Sequence, residues 1–391
     1  MIKISSKDQC CGCSACLHVC PRTAISFKED SEGFLYPQID QSKCVDCGLC
    51  ENVCPVINQS IEREPIAVYA AKHPDDRIRL SSSSGGIFTL LAESVIDEGG
   101  VVFGARFNEN WEVVHSYTDT KEGLTPFRGS KYVQSNIGDS FVQIESFLKD
   151  GRKVMFTGTP CQVSGLKKYL RKEYDNLLTV DFICHGVPSP MVWHKYLKEE
   201  VTRQSGAVLT GVNFRNKSTG WKTFSLVMDF TEDINGSLKK YALSTMATDN
   251  VYMNAFLSNL SLRPSCYNCP AKSSKSGADI SIGDFWGIEK VDNEIYDDKG
   301  VSMILVMSAK GNDILSLVNY EYKSVQLDVT IKNNPSYRYS AAEPINRDFF
   351  FYMLNKRNVT DLVPFIKSGG VIARIIRVIY RKLRKLRKLR K

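Results

Sequence analysis

The clearest pattern in the chain lies between residues 81 and 96. SSSSGG is followed by apolar residues at Ile87, Phe88, Leu91, Ala92, Val95 and Ile96. Spacing by three and four marks a helix with one buried stripe, and a serine ahead of it supplies the N-cap. Apolar runs over 101–107 and 113–117 then predict strands. The helical stripe returns at Ile137, Phe141, Ile144 and Phe147. Residues 154–156 form a short apolar strand, TGTPC turns the chain, a helix runs to about Leu170, and a strand follows over 177–184. Strand, helix and strand in that order imply at least one parallel pair. Alternating runs over 208–214, 224–230, 301–307 and 325–329 read as further strands, with a helical stretch over 249–259 among them. The expected fold class is α/β and α+β with mixed sheets.

The first 58 residues are organised by cysteine instead. Cys10, Cys13, Cys16 and Cys20 read C-x2-C-x2-C-x3-C before Pro21, and Cys44, Cys47, Cys50 and Cys54 repeat the run before Pro55. This is the spacing of a bacterial two-cluster ferredoxin, in which the fourth cysteine of each run ligates the other cluster. One 4Fe–4S cluster is therefore expected on Cys10, Cys13, Cys16 and Cys54, and a second on Cys44, Cys47, Cys50 and Cys20. Zinc sites and secreted-type disulfides are poor fits, because paired zinc motifs bring neither a third CxxC nor a CP on both copies. Cys11 is left over as an inert thiol or one beside a cluster. Phe27, Phe34 and Tyr36 are available to cover the clusters, and the polar residues 57–65 read as a linker.

Composition narrows the class. At 391 residues the chain has room for two or three domains. The net charge of +8 misleads, since residues 371–391 hold ten Lys or Arg and no acid, leaving 41 basic and 43 acidic residues elsewhere. That tail puts Ile372, Ile375, Ile376, Ile379, Leu383 and Leu386 on one helical face. The pattern fits a helix lying on an anionic membrane surface, where each basic residue contributes about 1 kcal/mol. A nucleic-acid arm has no need of the isoleucine stripe. No apolar run is long enough for a transmembrane helix, and the N-terminus lacks a secretory h-region. The expected location is the reducing cytoplasm, with a peripheral hold on the inner face of the membrane.

Four cysteines remain: Cys161 after TGTP, Cys184 in FICHGVP, and Cys266 and Cys269 in SCYNCP. Four thiols from three loops suffice for a third 4Fe–4S cluster, and the alternative is a set of buried core cysteines. SSSSGG opening a helix suits a phosphate, though an unliganded serine cap is equally common. Neither GxGxxG nor a Walker A motif occurs, so an ordinary NAD-type site is not supported. RGSKYV (128–133) and FRNKSTGW, with Arg215 and Lys217, read as anion sites or as charged loops. ISIGDFWG (280–287) sets aromatics between glycines, where a flat ring can lie against backbone, or where a turn simply packs. His185 stands beside a candidate ligand, as proton donor or as a neighbour.

With these motifs in view, residues from about 66 to 350 resemble the family of coenzyme F420 hydrogenase and dehydrogenase beta subunits. SSSSGGIFTLL, RGSKYV, FTGTPCQ, DFICHGVPSP, CYNCP and DISIGDFWG carry the likeness as an ordered set, and the family is also similar to 7-hydroxymethyl chlorophyll a reductase. Its members are iron–sulfur flavoproteins, often with a ferredoxin domain in front. Beside the 1–58 ferredoxin domain and the 371–391 tail read from the residues, the resemblance implies a 66–150 N-terminal part and a 151–350 C-terminal part of a mixed-sheet flavoprotein domain. It implies FAD or substrate at Ser83, Ser84, Gly85, Gly86 and Lys131, with Trp286 near flavin or cluster, and a cluster on Cys161, Cys184, Cys266 and Cys269. The family name promises a deazaflavin coenzyme; nothing in this sequence does. Similar fused proteins accompany bacterial surface-polysaccharide genes, so a lipid-linked or nucleotide-linked sugar is one expected substrate class.

The expected function is an oxidoreductase in which FAD links one-electron clusters to a two-electron organic substrate, with a separate protein as electron donor or acceptor. The alternative is a non-catalytic electron-transfer subunit serving a partner enzyme.

Overall fold

The structure is a computed structural model and describes residues 1–368. Its centre is one mixed sheet of eight strands. They run in the order β13 (Glu321–Ser324), β3 (Ala67–Lys72), β12 (Ser302–Val306), β11 (Ile280–Asp284), β7 (Leu177–Phe182), β6 (Val154–Gly158), β4 (Val101–Phe107), β5 (Val113–Thr118). The central strands β11, β7, β6 and β4 are parallel, and the flanking strands join antiparallel. Residues 66–150 and 151–350 therefore share one sheet.

Two-residue alternation decides which side chains face which layer. Val101, Phe103, Val154 and Phe156 pack with the helices Ser140–Lys149 and Pro160–Leu170. Val102 and Met155 turn the other way, onto the helix Ile87–Asp97. The crossover from β6 to β7 is closed by a capping box between Thr159 and Gln162, with Pro160 in the first turn. Parallel neighbours end side by side, so a crevice opens at the carboxyl ends of β6, β7 and β11.

A second, antiparallel sheet holds β8 (Val208–Asn216), β9 (Ser225–Ile234) and β10 (Ser237–Met246). Asn235 and Gly236, both at positive φ, turn its last hairpin. It shares a core around Trp193, Phe214, Tyr252 and Phe350 with the helices Pro190–Arg203, Val251–Leu257, Arg347–Leu354 and Val359–Lys367.

The N-terminal unit is a hairpin of β1 (Ile25–Glu29) and β2 (Leu35–Ile39) with the short helices Ala15–Val19 and Leu49–Asn52. Its internal repeat shows in the backbone. Gly12 (φ 72°) and Ser14 (φ 67°) in the first half match Asp46 (φ 49°) and Gly48 (φ 76°) in the second. The unit is seated on the rest of the molecule, not strung from it. A Cβ on Gly165 would stand 2.7 Å from Cys13 Cβ, so the Cys13 loop lies directly on the helix Pro160–Leu170. The Arg347 guanidinium donates to both oxygens of Glu32, at 3.2 and 2.6 Å, in a largely buried pair.

Three expectations are corrected. The helix after SSSSGG is capped by Gly86, not by a serine; its φ of 85° makes the turn, and the serine side chains bond elsewhere. Residues 325–329 are not a strand: the edge strand is Glu321–Ser324, and Leu327–Ile331 is helical. The helix expected over 249–259 is shorter, Val251–Leu257, because Asn250 caps it through Met253 N. Among the described residues no helix is long and apolar enough to cross a membrane. The tail at 371–391 lies outside the described residues.

Candidate metal centres

All thirteen cysteines are free thiols, and they gather around three cavities, four to each with Cys11 lining two of them. In the N-terminal unit one cavity, of about 310 Å³, is lined by Cys10, Cys13, Cys16 and Cys54. The other, of about 390 Å³, is lined by Cys20, Cys44, Cys47 and Cys50. The structure thus places the fourth cysteine of each run in the opposite cavity, the exchange that two-cluster ferredoxins show. Phe27 lines the first cavity. Phe34 and Tyr36 lie behind it, under the Arg263 guanidinium at 5.4 and 4.4 Å. Backbone amides point at sulfur: Ile2 N lies 3.3 Å from Cys50 Sγ, and Ala24 N 3.4 Å from Cys20 Sγ.

The third cavity, of about 660 Å³, opens at the carboxyl ends of β6 and β7 and holds Cys161, Cys184, Cys266 and Cys269. Cys161 sits in the first turn after β6, and Cys184 two residues beyond β7. Cys266 arrives on the short turn Pro264–Asn268 and Cys269 directly follows it, while Arg263 N, just before the turn, donates to Val187 O. Val187 N returns to Cys266 Sγ at 3.4 Å, and Thr159 Oγ1 meets Cys161 Sγ at 3.2 Å. Burial pushes the Cys184 and Cys269 thiols up and Cys266 to about 12. Such thiols give up their protons only to a strongly cationic partner, and a thiolate-rich donor set of this kind suits an iron–sulfur core. Among the described residues no three His, Cys, Asp or Glu side chains converge on a single metal ion. The sulfurs instead surround spaces.

Two cations attend these thiols. Lys272 Nζ donates to Cys184 O at 2.6 Å and Ser336 O at 2.7 Å. Arg263, fully buried, donates to Cys10 O at 2.7 Å, Leu35 O at 2.8 Å and Gln134 Oε1 at 3.0 Å, and its Nη2 lies 3.5 Å from Cys10 Sγ. His185 lines the third cavity with Nε2 against Asn259 Oδ1 at 2.6 Å, and burial lowers its pKa. Asp181 at the end of β7 lines it too, its carboxyl raised to about 6 by burial. Sequence reasoning passed over both Arg263 and Asp181. Their only signals are an arginine before proline in an apolar stretch and an acid inside a strand.

The residues expected at the flavin lie together further along the same edge. Ser83 Oγ accepts from Ser130 N at 2.6 Å, and Arg215 Nη2 donates to Ser83 O at 3.1 Å. Arg215 pairs with Asp284 at the end of β11 and lies over Phe224 and Trp286. Trp286 stacks on Trp221 at 4.9 Å and is not part of the third cavity's lining. Much of the expected donor set is already engaged. Gly85 N donates to Ser302 Oγ, and Ser84 Oγ to Val301 O. Lys131 Nζ donates to the carbonyls of Pro126, Arg128 and Gly129. Lys217, one of the two reading as a charged loop, is instead buried on three carbonyls, those of Arg79, Ser84 and Lys299. Among the described residues two buried atoms attached to this turn lack partners: Arg215 Nε, and His73 Nε2, whose residue's N–H donates to Gly85 O.

Comparison with known proteins follows this division. Residues 9–58 match the model of the 4Fe-4S dicluster domain. Residues 151–327 match the model of coenzyme F420 hydrogenase/dehydrogenase, at the C terminus of the beta subunit. The F subunit of the F(420)H(2) dehydrogenase from Methanosarcina mazei is 28% identical over 172 residues, 41% of this chain and 48% of that protein. The match thus spans about half the length of that relative. A chain of the xenon-derivatised F420-reducing NiFe hydrogenase complex from Methanosarcina barkeri aligns over 79% of this chain and 95% of its own, at 18% identity and a TM-score of 0.44. That likeness is too low to bear on the site. Residues 9–58 are thus similar to a 4Fe-4S dicluster domain, and residues 151–327 to the C-terminal domain of the coenzyme F420 hydrogenase/dehydrogenase beta subunits.

Proposed function

We propose that the chain is an iron–sulfur flavoprotein oxidoreductase with three 4Fe–4S centres, the third held by Cys161, Cys184, Cys266 and Cys269. One observation carries the reading: a third cavity ringed by four thiols from three loops, at the sheet edge where α/β proteins place their ligands. Bound clusters supply one-electron transfer, and a bound flavin exchanges one electron with a cluster and two with an organic substrate.

The protein's own groups have definable tasks. The thiolates bind, and burial of Cys10, Cys13, Cys16 and Cys54 keeps water from the inner ferredoxin site. Arg263 and Lys272 offset negative charge at buried sulfur. Asp181, its carboxyl raised to about 6 by burial, takes up a proton beside the third cavity as the pH falls through about 6. For FAD, the amides of Ile87 and Phe88 open a helix and have no acceptor within it, which suits a phosphate. The orphaned Arg215 Nε and His73 Nε2 flank the same turn. Ser83, Ser84, Gly85, Gly86, Lys131 and Trp286 would form the walls of that flavin site. The proposed substrate is a small or lipid-linked organic molecule, such as a sugar intermediate of surface-polysaccharide synthesis. The basic tail would hold the protein on an anionic membrane.

The test is Cys266→Ala in anaerobically reconstituted protein. It should remove about four irons while the ferredoxin signals persist, and flavin released on denaturation should be identified as FAD. Retention of all iron would return these four thiols to the core. A second reading is a non-catalytic electron-transfer subunit that serves a separate enzyme, favoured by the name of the Methanosarcina mazei relative, itself one subunit of a dehydrogenase. About eight irons and no flavin in the unsubstituted chain would support it. The same cofactor analysis reads out any deazaflavin.

A further inference from the structure

Cys11 is the thirteenth cysteine, and the three centres leave it unused. It is buried, and among the described residues it is the one that lines both the cavity of Cys10, Cys13, Cys16 and Cys54 and the cavity of Cys161, Cys184, Cys266 and Cys269. It packs in one buried cluster with Cys13 of the ferredoxin unit and Cys161 of the sheet domain. The outer ferredoxin cavity, with the exposed Cys47, shares no lining residue with either.

We propose that Cys11 ligates neither centre and instead joins them, its thiol standing between Cys13 of the ferredoxin unit and Cys161 of the sheet domain. The inference rests on the third-centre reading above. The loop around Cys11 cannot swing. A Cβ on Gly12 would stand 2.8 Å from both Arg263 Nη1 and Gln134 Nε2, and Gln134 Nε2 donates to Cys11 O at 3.2 Å. Each cavity already has four other thiols, a full set for a cubane, so a fifth ligand is surplus. A thiol kept as S–H is a weak donor. Placed between two thiolates, it serves one of them at a time, and hydrogen bonds to ligating sulfur set cluster potentials.

This placement orders the path. The outer centre, on Cys20, Cys44, Cys47 and Cys50, meets the external one-electron carrier protein. The inner ferredoxin centre is the one that abuts the third. With clusters bound at both sites, an electron passing beside Cys11 would oxidise one centre by one equivalent and reduce the other by one. No bond changes and no proton is transferred.

The experiment uses the full chain, reconstituted anaerobically, with iron analysis and an EPR-monitored redox titration. Cys11→Ala should keep about twelve irons. The reduced-to-oxidised ratio of the third or the inner ferredoxin centre, at fixed potential, should fall about tenfold, equivalent to ~59 mV for one electron. The outer ferredoxin centre should not shift. Should the alanine protein fail to fold, Cys11→Val, which fills the thiol's space without a donor, should fold with about twelve irons and show the same shift. Cys11→Ser should recover part of the shift, since its hydroxyl can donate. Loss of about four irons in Cys11→Ala or Cys11→Val would make Cys11 a ligand and overturn the proposal. So would unchanged potentials at every centre. About eight irons in the unsubstituted chain removes the third-centre reading and this proposal together, whereas twelve irons without a shift removes this proposal alone.

Discussion

Replacing Arg263 by alanine should separate the ferredoxin unit from the sheet domain. The guanidinium is fully buried and reaches across the join: the loop it leaves carries Cys266, and the groups it holds, Cys10 O and Leu35 O, belong to the N-terminal unit. Among the described residues no carboxylate lies among its hydrogen-bond partners; the opposite charge nearby is ligand sulfur, at Cys10 and Cys266. Truncation would orphan two buried carbonyls at about 1–3 kcal/mol each. It would also leave a void under Tyr36 and Phe34 that the pinned loops cannot close. The expected loss is about 4 kcal/mol. Arg263→Lys keeps the charge but cannot reproduce the planar fork, and should cost about half of that. Anaerobic urea unfolding of the cluster-loaded protein, followed by cluster absorbance and tryptophan fluorescence, measures both. In Arg263→Ala the two signals should part, with the ferredoxin absorbance lost first. A loss below ~1 kcal/mol, or transitions that stay coincident, would refute this view of the join.

Three further outcomes follow from the same geometry. Arg347→Ala leaves Glu32 buried and short of its bidentate partner, with Lys7 at 3.5 Å as partial relief; urea unfolding should show a loss of about 3 kcal/mol, and a loss under 1 kcal/mol would mean the pair is not structural. His115 is buried beside Phe156 with Nε2 on Thr157 O, and burial lowers its pKa to about 4. The unfolded chain therefore binds the extra proton between pH 6.5 and 4, so stability is full above about 6.5 and falls as pH drops toward 4. The stability difference between wild type and His115→Gln should change by about 3 kcal/mol over that window, and a flat difference would contradict the assignment. Deleting residues 371–391 should move the protein from anionic vesicles to the supernatant; continued flotation would clear the tail of that role.

What the sequence disclosed was local. The two ferredoxin runs could be read because their ligands are two and three residues apart, and even the exchange of Cys20 and Cys54 follows from that spacing. Cys161 and Cys184 were legible as ends of adjacent strands, since strand, helix and strand put β6 beside β7. The place of Cys11 between two cavities was not legible, because its neighbour Cys161 lies 150 positions away and only the docking of the ferredoxin unit brings them together. Arg263 and Arg347 were hidden for the same reason. SSSSGG misled because composition points to a serine cap, while the chain needed the left-handed turn that Gly86 supplies. Residues 325–329 alternate like a strand, yet their partner edge on β3 is taken by Glu321–Ser324. Trp286 sits between glycines as a ring platform would, and stacks on Trp221, a residue with no signature of its own.

The central claim is that three iron–sulfur centres share one chain, and it is tested most directly by alkylating the anaerobically prepared holoprotein and counting iron in the same sample. The account predicts about twelve irons per chain, with Cys161, Cys184, Cys266 and Cys269 protected from the reagent until the iron is chelated. About eight irons, with those four thiols modified as readily before chelation as after, would contradict it.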